Sequence, residues 1–99
     1  MAPRRRQVVW AEHARQALDE ALTYIAERSP QNARRLAERV LERADSLDTF
    51  SERGRMVPEL EDPILRELLI DPFRLMYEVH ENEVRIVGFV HQRRLFGGI

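Results

Sequence analysis

His91 and three arginines, Arg66, Arg74 and Arg93, are the residues of this sequence whose types best suit reaction chemistry. Metal-free cleavage of RNA needs a base for the 2′-hydroxyl, an acid for the leaving oxygen and cations for the developing phosphate charge. His91 could titrate near neutral pH, and the guanidinium groups could bind phosphate. The same residues could instead serve structure, with Arg66 paired to a carboxylate such as Glu67 and His91 closing a strand. This structural role is favoured by roughly two to one, because ionisable groups pair structurally far more often than they catalyse.

Metal and thiol chemistry have little support in the sequence. There is no cysteine, which excludes disulfides, thiolate catalysis and Cys-based zinc sites. His13 and His80 have acidic neighbours, but no spacing such as H-E-x-x-H is present, and surface positions explain them better. We therefore expect neither a cofactor nor a metal.

Composition describes a small globular protein with balanced charge. The 99 residues fit one domain, 1–99. Sixteen basic and seventeen acidic residues give a net charge of -1, whereas nucleic-acid-binding proteins usually carry a marked basic excess. The basic start Met1–Arg6 is followed by no apolar stretch of the kind found in signal peptides, and no run approaches the roughly 18 apolar residues of a membrane span. We expect a cytoplasmic protein.

The periodicity of apolar residues predicts an α+β fold with the order β-α-α-β-β-β. Ser29 and Pro30 separate two helical stripes, and the residues from Ser51 to Pro63 read as a solvated loop. The expected elements are a strand Gln7–Trp10, helices Ala11–Arg28 and Pro30–Asp48, and strands Leu65–Ile70, Phe73–Val79 and Val84–His91.

The expected architecture is an α-helical hairpin packed on one face of an antiparallel sheet, since each element has one apolar side to bury. Short turns make the last three strands antiparallel neighbours, and the first strand should join an edge and leave the other face partly open. The last strand should turn Val84, Ile86, Gly88 and Val90 to one face. The residues expected in the core are Leu36, Val40, Leu68, Leu75, Tyr77 and Ile86.

Several short motifs, taken in order, resemble the RelE/ParE superfamily of toxins from bacterial type II toxin–antitoxin systems. Val9-Trp10 and the striped helix after it look like the family's opening. Gly54-Arg55-Met56-Val57-Pro58-Glu59-Leu60 is similar to its loop signature. Arg66-Glu67-Leu68 and Phe73-Arg74-Leu75-Met76-Tyr77 look like its paired strands, and Val90-His91-Gln92-Arg93-Arg94 resembles its closing segment. The order and spacing of these motifs, which cover nearly the whole chain, make the match specific.

The resemblance leaves two targets open. RelE-like members cut messenger RNA in the ribosomal A site, and Arg74 and Arg93 match their phosphate-binding arginines. ParE-like members inhibit DNA gyrase and are not known to cut RNA. Phe96 stands where RelE-like enzymes carry an aromatic hydroxyl, Leu68 and Ile70 stand in place of their lysines, and the net charge is near zero. These departures favour a ParE-like gyrase inhibitor that acts by binding; the alternatives are a RelE-like endonuclease and a non-toxic interaction module.

The resemblance also implies a cognate antitoxin and a toxin–antitoxin hetero-oligomer. The C-terminal segment of the antitoxin is expected to bind an apolar groove between the helical hairpin and the sheet of the toxin, and to add backbone pairing at a sheet edge. The apolar tail Leu95–Ile99 is either a frayed end or a segment used on the target. The residues expected to bind the partner are Leu22, Ile25, Leu36, Val40, Arg66 and Arg74.

Overall fold

The structure is a computed structural model that describes residues 5–93, and these form two α-helices and one five-stranded sheet. The predicted β-α-α-β-β-β order is confirmed, with one additional short strand after the second helix. In chain order the elements are β1 (Gln7–Trp10), α1 (Glu12–Ala26), α2 (Pro30–Asp45), a 3₁₀ turn (Ser46–Asp48), β2 (Arg55–Met56), β3 (Leu65–Ile70), β4 (Phe73–Val79) and β5 (Glu83–His91).

The boundary between the helices follows the sequence signals closely. The Ser29 side chain accepts a hydrogen bond from the Asn32 N–H at 3.2 Å, and Pro30 occupies the first turn, where its missing N–H costs nothing. The helix α2 ends at Asp45, earlier than predicted, because the backbone tightens into the 3₁₀ turn. The N-cap residue of α1 is an alanine and makes no side-chain cap.

The sheet has the strand order β1-β5-β4-β3-β2. The antiparallel meander β3-β4-β5 and the edge position of β1 agree with prediction. However, β1 runs parallel to β5, so the sheet is mixed and not wholly antiparallel. A parallel neighbour is possible here because the two helices between β1 and the later strands supply a long crossover connection.

A β-bulge in β5 changes which of its side chains face the helices. Ile86 and Gly88 lie opposite neighbouring residues of β4, which leaves Val87 between them without a partner. Beyond the bulge, Phe89 packs in the core beneath the helices, whereas Val90 packs on the other side of the sheet. The predicted shared face of Val90 and Ile86 is therefore wrong, because the alternation of side chains is interrupted at Val87.

Both faces of the sheet are covered. The six residues predicted for the core are all buried, with relative exposures of 7% or less. On the face away from the helices, which was expected to be partly open, Val57, Leu65 and Met76 form a second buried cluster, with Leu60 packed against it. The segment 57–62 thus lies over the sheet, and the predicted fully solvated loop is wrong there.

A close approach of Gly54 to the sheet brings this segment into position. The Gly54 N–H donates to the Tyr77 hydroxyl at 2.9 Å. A Cβ at this position would lie 2.5 Å from both the Glu67 carbonyl oxygen and the Tyr77 hydroxyl, so only glycine fits. The short strand β2, which was expected to be loop, follows directly and pairs antiparallel with β3.

Within residues 5–93, neither helix combines the length and apolar character that a membrane span requires.

Candidate functional site

The four residues considered for RNA cleavage lie on two different faces of the sheet. Arg74 and Arg93 line one shallow pocket of about 380 Å³ on the face away from the helices. His91 borders a groove on the helix-bearing face. Arg66 also lies on the helix-bearing face, but far from His91. Arg66 pairs with Tyr77 of β4 and His91 pairs with Phe73, four residues away, so about 13 Å of strand separates Arg66 from His91. The four are therefore not brought together in one cluster.

Arg74 is buried between two carboxylates. Its two terminal nitrogens donate to the two oxygens of Glu59, each at 2.7 Å, and its Nε donates to Glu67 at 2.6 Å. The Glu67 side chain is fully buried and also accepts from Arg55 Nε at 2.8 Å. Hydrogen bonding to Glu59, and then to Glu67, holds the pKa of Arg74 above its ordinary value despite the opposing effect of burial. A phosphate could reach this guanidinium only by displacing Glu59.

His91 stands at the exposed end of β5. Its ring meets the edge of the Phe73 ring, with centroids 5.7 Å apart, and its Nδ1 accepts from the Arg93 backbone N–H at 3.2 Å. No carboxylate in residues 5–93 hydrogen-bonds the imidazole. The ring therefore lacks the orienting group that a general base usually has.

Arg66 holds the backbone of the loop before β2. Its Nη1 donates to the Gly54 carbonyl at 2.8 Å and reaches the Glu52 carbonyl at 3.5 Å. The expected pairing with Glu67 does not occur, because Glu67 points to the opposite face of the sheet, where it binds Arg55 and Arg74. Arg66 thus has a structural role at this position.

The two other histidines make local contacts. The His13 Nε2 lies 2.6 Å from the Val87 carbonyl oxygen at the bulge, and the His80 Nε2 lies 2.9 Å from a Glu78 carboxylate oxygen. The part of the chain from residue 5 to 93 holds no group of three or more His, Cys, Asp or Glu side chains arranged for a metal ion.

A groove of about 880 Å³ opens between the helical hairpin and the end of the sheet. Its floor is apolar: the Phe73 and Phe89 rings stack with centroids 4.7 Å apart, and Leu36 lies beside them. Ala21 and Ile25 contribute to the wall from α1. This combination of size and apolar lining is typical of a surface that binds another molecule.

The residues predicted to bind a partner are divided by the structure. Ile25 and Leu36 line the groove, and Leu22 is partly buried against the main core. Val40 is completely buried and offers no surface to a partner. Arg66 and Arg74 do not line the groove and make the internal contacts described above.

Sequence reasoning missed three residues on the walls of the groove. Tyr24 is 58% exposed, and the Arg28 guanidinium lies over its ring, 5.0 Å from the centroid. Arg35 and Arg39 form part of the α2 wall. Their spacing of four on a predicted helix, beside the apolar stripe that contains Leu36, was the signal that could have identified them.

The open stretch of β5 beside this groove is a second feature suited to binding. The Gln92 N–H donates to the Pro72 carbonyl at 2.8 Å, so these two residues form a hydrogen-bonded pair. Hydrogen-bonded and non-hydrogen-bonded pairs alternate along antiparallel strands, so the pairs Phe73–His91 and Leu75–Phe89 are both non-hydrogen-bonded. The backbone groups of Phe89 and His91 consequently point away from β4. On that side β1 pairs no further than Ile86, within the part of the chain described. Because Phe89 is only 3% exposed, the accessible part of this unpaired strand edge is the exposed end of β5 at His91, next to the groove.

Comparisons with known proteins agree on one family. Residues 8–96 match the family model described as ParE toxin of type II toxin–antitoxin system, parDE. The chain is 40% identical over 90 residues to Toxin RelE2 of Caulobacter vibrioides, and the match covers 90% of this chain and 98% of that protein. A solved structure described as the chromosomal ParDE TA system from P. aeruginosa superposes with a TM-score of 0.70 at 22% identity, covering 87% of this chain and 95% of that one. This last likeness supports the fold.

Proposed function

Because this chain belongs to the ParE toxin family of type II toxin–antitoxin systems, we propose that it is a one-domain toxin that inhibits DNA gyrase by binding and does not cleave RNA. As a member of that family it is the toxin of a toxin–antitoxin pair and has an antitoxin as partner. The identity of the target goes beyond family membership and rests on the arrangement of the side chains.

The observation that carries the proposal is the neutralised state of Arg74. Two carboxylates, Glu59 and Glu67, already bind this guanidinium, so the residue best placed by sequence to bind a scissile phosphate is engaged internally. His91 lies on the other face of the sheet and has no orienting carboxylate among the described residues. Acid–base cleavage needs such groups within hydrogen-bonding reach of one substrate, and this arrangement does not supply them.

A RelE-like endonuclease is the second candidate, and the name of the relative Toxin RelE2 favours it. This activity would require Glu59 to leave Arg74, which would free a pocket that also contains Arg55 and Arg93. Phe96, whose lack of a hydroxyl argues against a nuclease, lies outside the described residues, as does the rest of the tail Leu95–Ile99.

The groove and the neighbouring edge of β5 support a mode of binding for the antitoxin. An amphipathic segment could place apolar side chains on the floor formed by Phe73, Phe89 and Leu36. The same segment, or its continuation, could pair with the outward backbone groups at the exposed end of β5, at His91. A partner held at both features would cover a wide surface of a small toxin.

The target is tested with two assays on the purified toxin. We expect inhibition of gyrase-dependent supercoiling of plasmid DNA, together with intact transcripts on programmed ribosomes. The matched control is the toxin saturated with its cognate antitoxin, which should be inactive in both assays. Site-specific cleavage of the transcript would establish the endonuclease instead, and inactivity in both assays would leave a non-toxic interaction module.

The mode of antitoxin binding is tested by truncation. Removal of the C-terminal segment from the antitoxin should abolish the complex, whereas removal of its N-terminal region should leave it intact. Unchanged affinity after the C-terminal truncation would show that the antitoxin binds elsewhere.

A further inference from the structure

Two arginines on the α2 wall of the groove have no acidic partner. Arg35 and Arg39 are both exposed, lie one helical turn apart and border the apolar floor. Within residues 5–93 neither forms an ion pair or a side-chain hydrogen bond, although Glu38 and Glu42 lie on the same helix. Like charges spaced four residues apart on a helix repel each other weakly, and an acidic partner bound to both would relieve this repulsion.

The groove is polarised rather than uniformly basic. Glu20 stands on the opposite wall, on α1, and Asp71 lies in the turn between β3 and β4. Among the described residues that line the groove, α2 alone places two like charges one helical turn apart. A segment that lies in the groove therefore meets two neighbouring positive charges along α2, and single acidic residues at Glu20 and Asp71.

We propose that the antitoxin segment in the groove carries two acidic side chains along the edge that faces α2, where they pair with Arg35 and Arg39. This proposal rests on the groove being the antitoxin site and adds the chemistry that sets the register and direction of the segment. A guanidinium can bind a carboxylate through two parallel hydrogen bonds, so the pairing constrains orientation as well as position.

The spacing of the two arginines specifies the spacing of the acidic residues. Four residues of helix α2 correspond to about 6 Å along its axis. Acidic residues three or four apart on a partner helix, or two apart on a partner strand, repeat at about the same distance. The apolar floor strengthens the pairing, because a docked segment displaces water from beside the charges.

The test compares variants of the toxin by calorimetric titration with the full-length cognate antitoxin. The double variant Arg35→Glu/Arg39→Glu should bind roughly tenfold or more weakly at low salt, and the difference should shrink as the salt concentration rises. The matched control is Arg34→Glu, which changes an exposed arginine of the same helix that does not line the groove. It should bind within about twofold of the wild type. Equal affinity of the double variant and the wild type would overturn the proposal.

A second variant separates this proposal from the one on which it rests. Ala21→Trp fills the groove without altering its charge. Loss of binding in Ala21→Trp, with unchanged binding of Arg35→Glu/Arg39→Glu, would retain the groove as the antitoxin site and reject the acidic edge. Normal binding by both variants would reject both proposals. Restored binding of the double variant by an antitoxin in which two acidic residues of the segment are changed to lysine would support the pairing directly.

Discussion

Arg74 and Glu59 form a bidentate ion pair across fifteen residues of the chain, with both hydrogen bonds 2.7 Å long. The pair joins the middle strand of the sheet to the segment 57–62, which covers the second apolar cluster. Arg74 also binds the buried carboxylate of Glu67. One guanidinium therefore holds the segment 57–62 against the sheet and neutralises a buried charge that would otherwise destabilise the fold.

We expect the substitution Arg74→Leu to lower the free energy of unfolding by about 3–5 kcal/mol, because it removes a partner of the fully buried Glu67 carboxylate. The substitution Glu59→Gln, at a partly exposed residue, should cost only about 1 kcal/mol. Urea denaturation near pH 7 measures both. The exposed control Arg34→Ala should stay within about 0.5 kcal/mol of the wild type. A loss below about 1 kcal/mol for Arg74→Leu would contradict a stabilising role for the network.

The substitution Gly54→Ala should destabilise the protein by about 1–3 kcal/mol, because the added methyl group meets the Glu67 carbonyl oxygen and the Tyr77 hydroxyl at 2.5 Å. The loss should appear as a lower urea midpoint. The nearby exposed Glu52→Ala is the matched control. If both variants unfolded at the wild-type midpoint, the loop would have room to move and the close contact would not limit stability.

Alkaline pH should destabilise the protein through Tyr77. Burial raises the pKa of Tyr77 above 10.0, although the Gly54 N–H on its hydroxyl oxygen opposes the shift. The folded state therefore holds the proton more tightly than the unfolded state, so this contribution is intact below pH 10 and is lost as the pH rises above it. Few other side chains change charge in this pH range, since the chain has no lysine or cysteine and arginine titrates higher. The other tyrosine of the chain, Tyr24, is exposed and serves as the control.

Urea denaturation at pH 9 and pH 11 tests this expectation. The wild type and the exposed control Tyr24→Phe should lose stability between the two values, whereas Tyr77→Phe should lose much less. An equal alkaline loss in Tyr77→Phe would assign the effect to another group.

The substitution His91→Gln should leave most of the toxicity intact, because glutamine keeps hydrogen bonding and removes only the titrating group. The growth of induced cultures and the supercoiling assay measure the effect. A nuclease that used His91 as an acid or base would lose roughly 10²–10⁴-fold in rate. Such a loss of transcript cleavage would contradict a binding mechanism. The matched control His80→Gln changes an exposed histidine that does not line the groove.

The sequence predicts the elements well where the apolar period is regular. The strands β1, β3 and β4 have the predicted bounds, and Ser29 caps α2 as expected. The bulge at Val87 could not be predicted, because one inserted residue in an all-apolar run leaves no mark on the pattern. The bulge places the Phe89 side chain on the helix-bearing face, where it stacks on Phe73 in the floor of the groove.

The ion network was less accessible to sequence reasoning than the elements. Glu59 stands in a polar, proline-containing stretch and was expected to be solvated. It binds Arg74 instead, because the segment 57–62 folds back onto the sheet. Long-range pairing of this kind depends on tertiary packing. The positions of Arg74 and His91 on opposite faces do follow from β4 and β5 once the bulge is included.

The parallel pairing of β1 with β5 has a consequence for the order in which the toxin can form during synthesis. A ribosome releases Gln7–Trp10 long before Glu83–His91, so β1 cannot pair with β5, its one neighbour in the described part of the sheet, until most of the domain has been translated. Pairings between strands this distant in the chain are slow to close. The nascent chain therefore cannot complete this sheet until Glu83–His91 has left the ribosome.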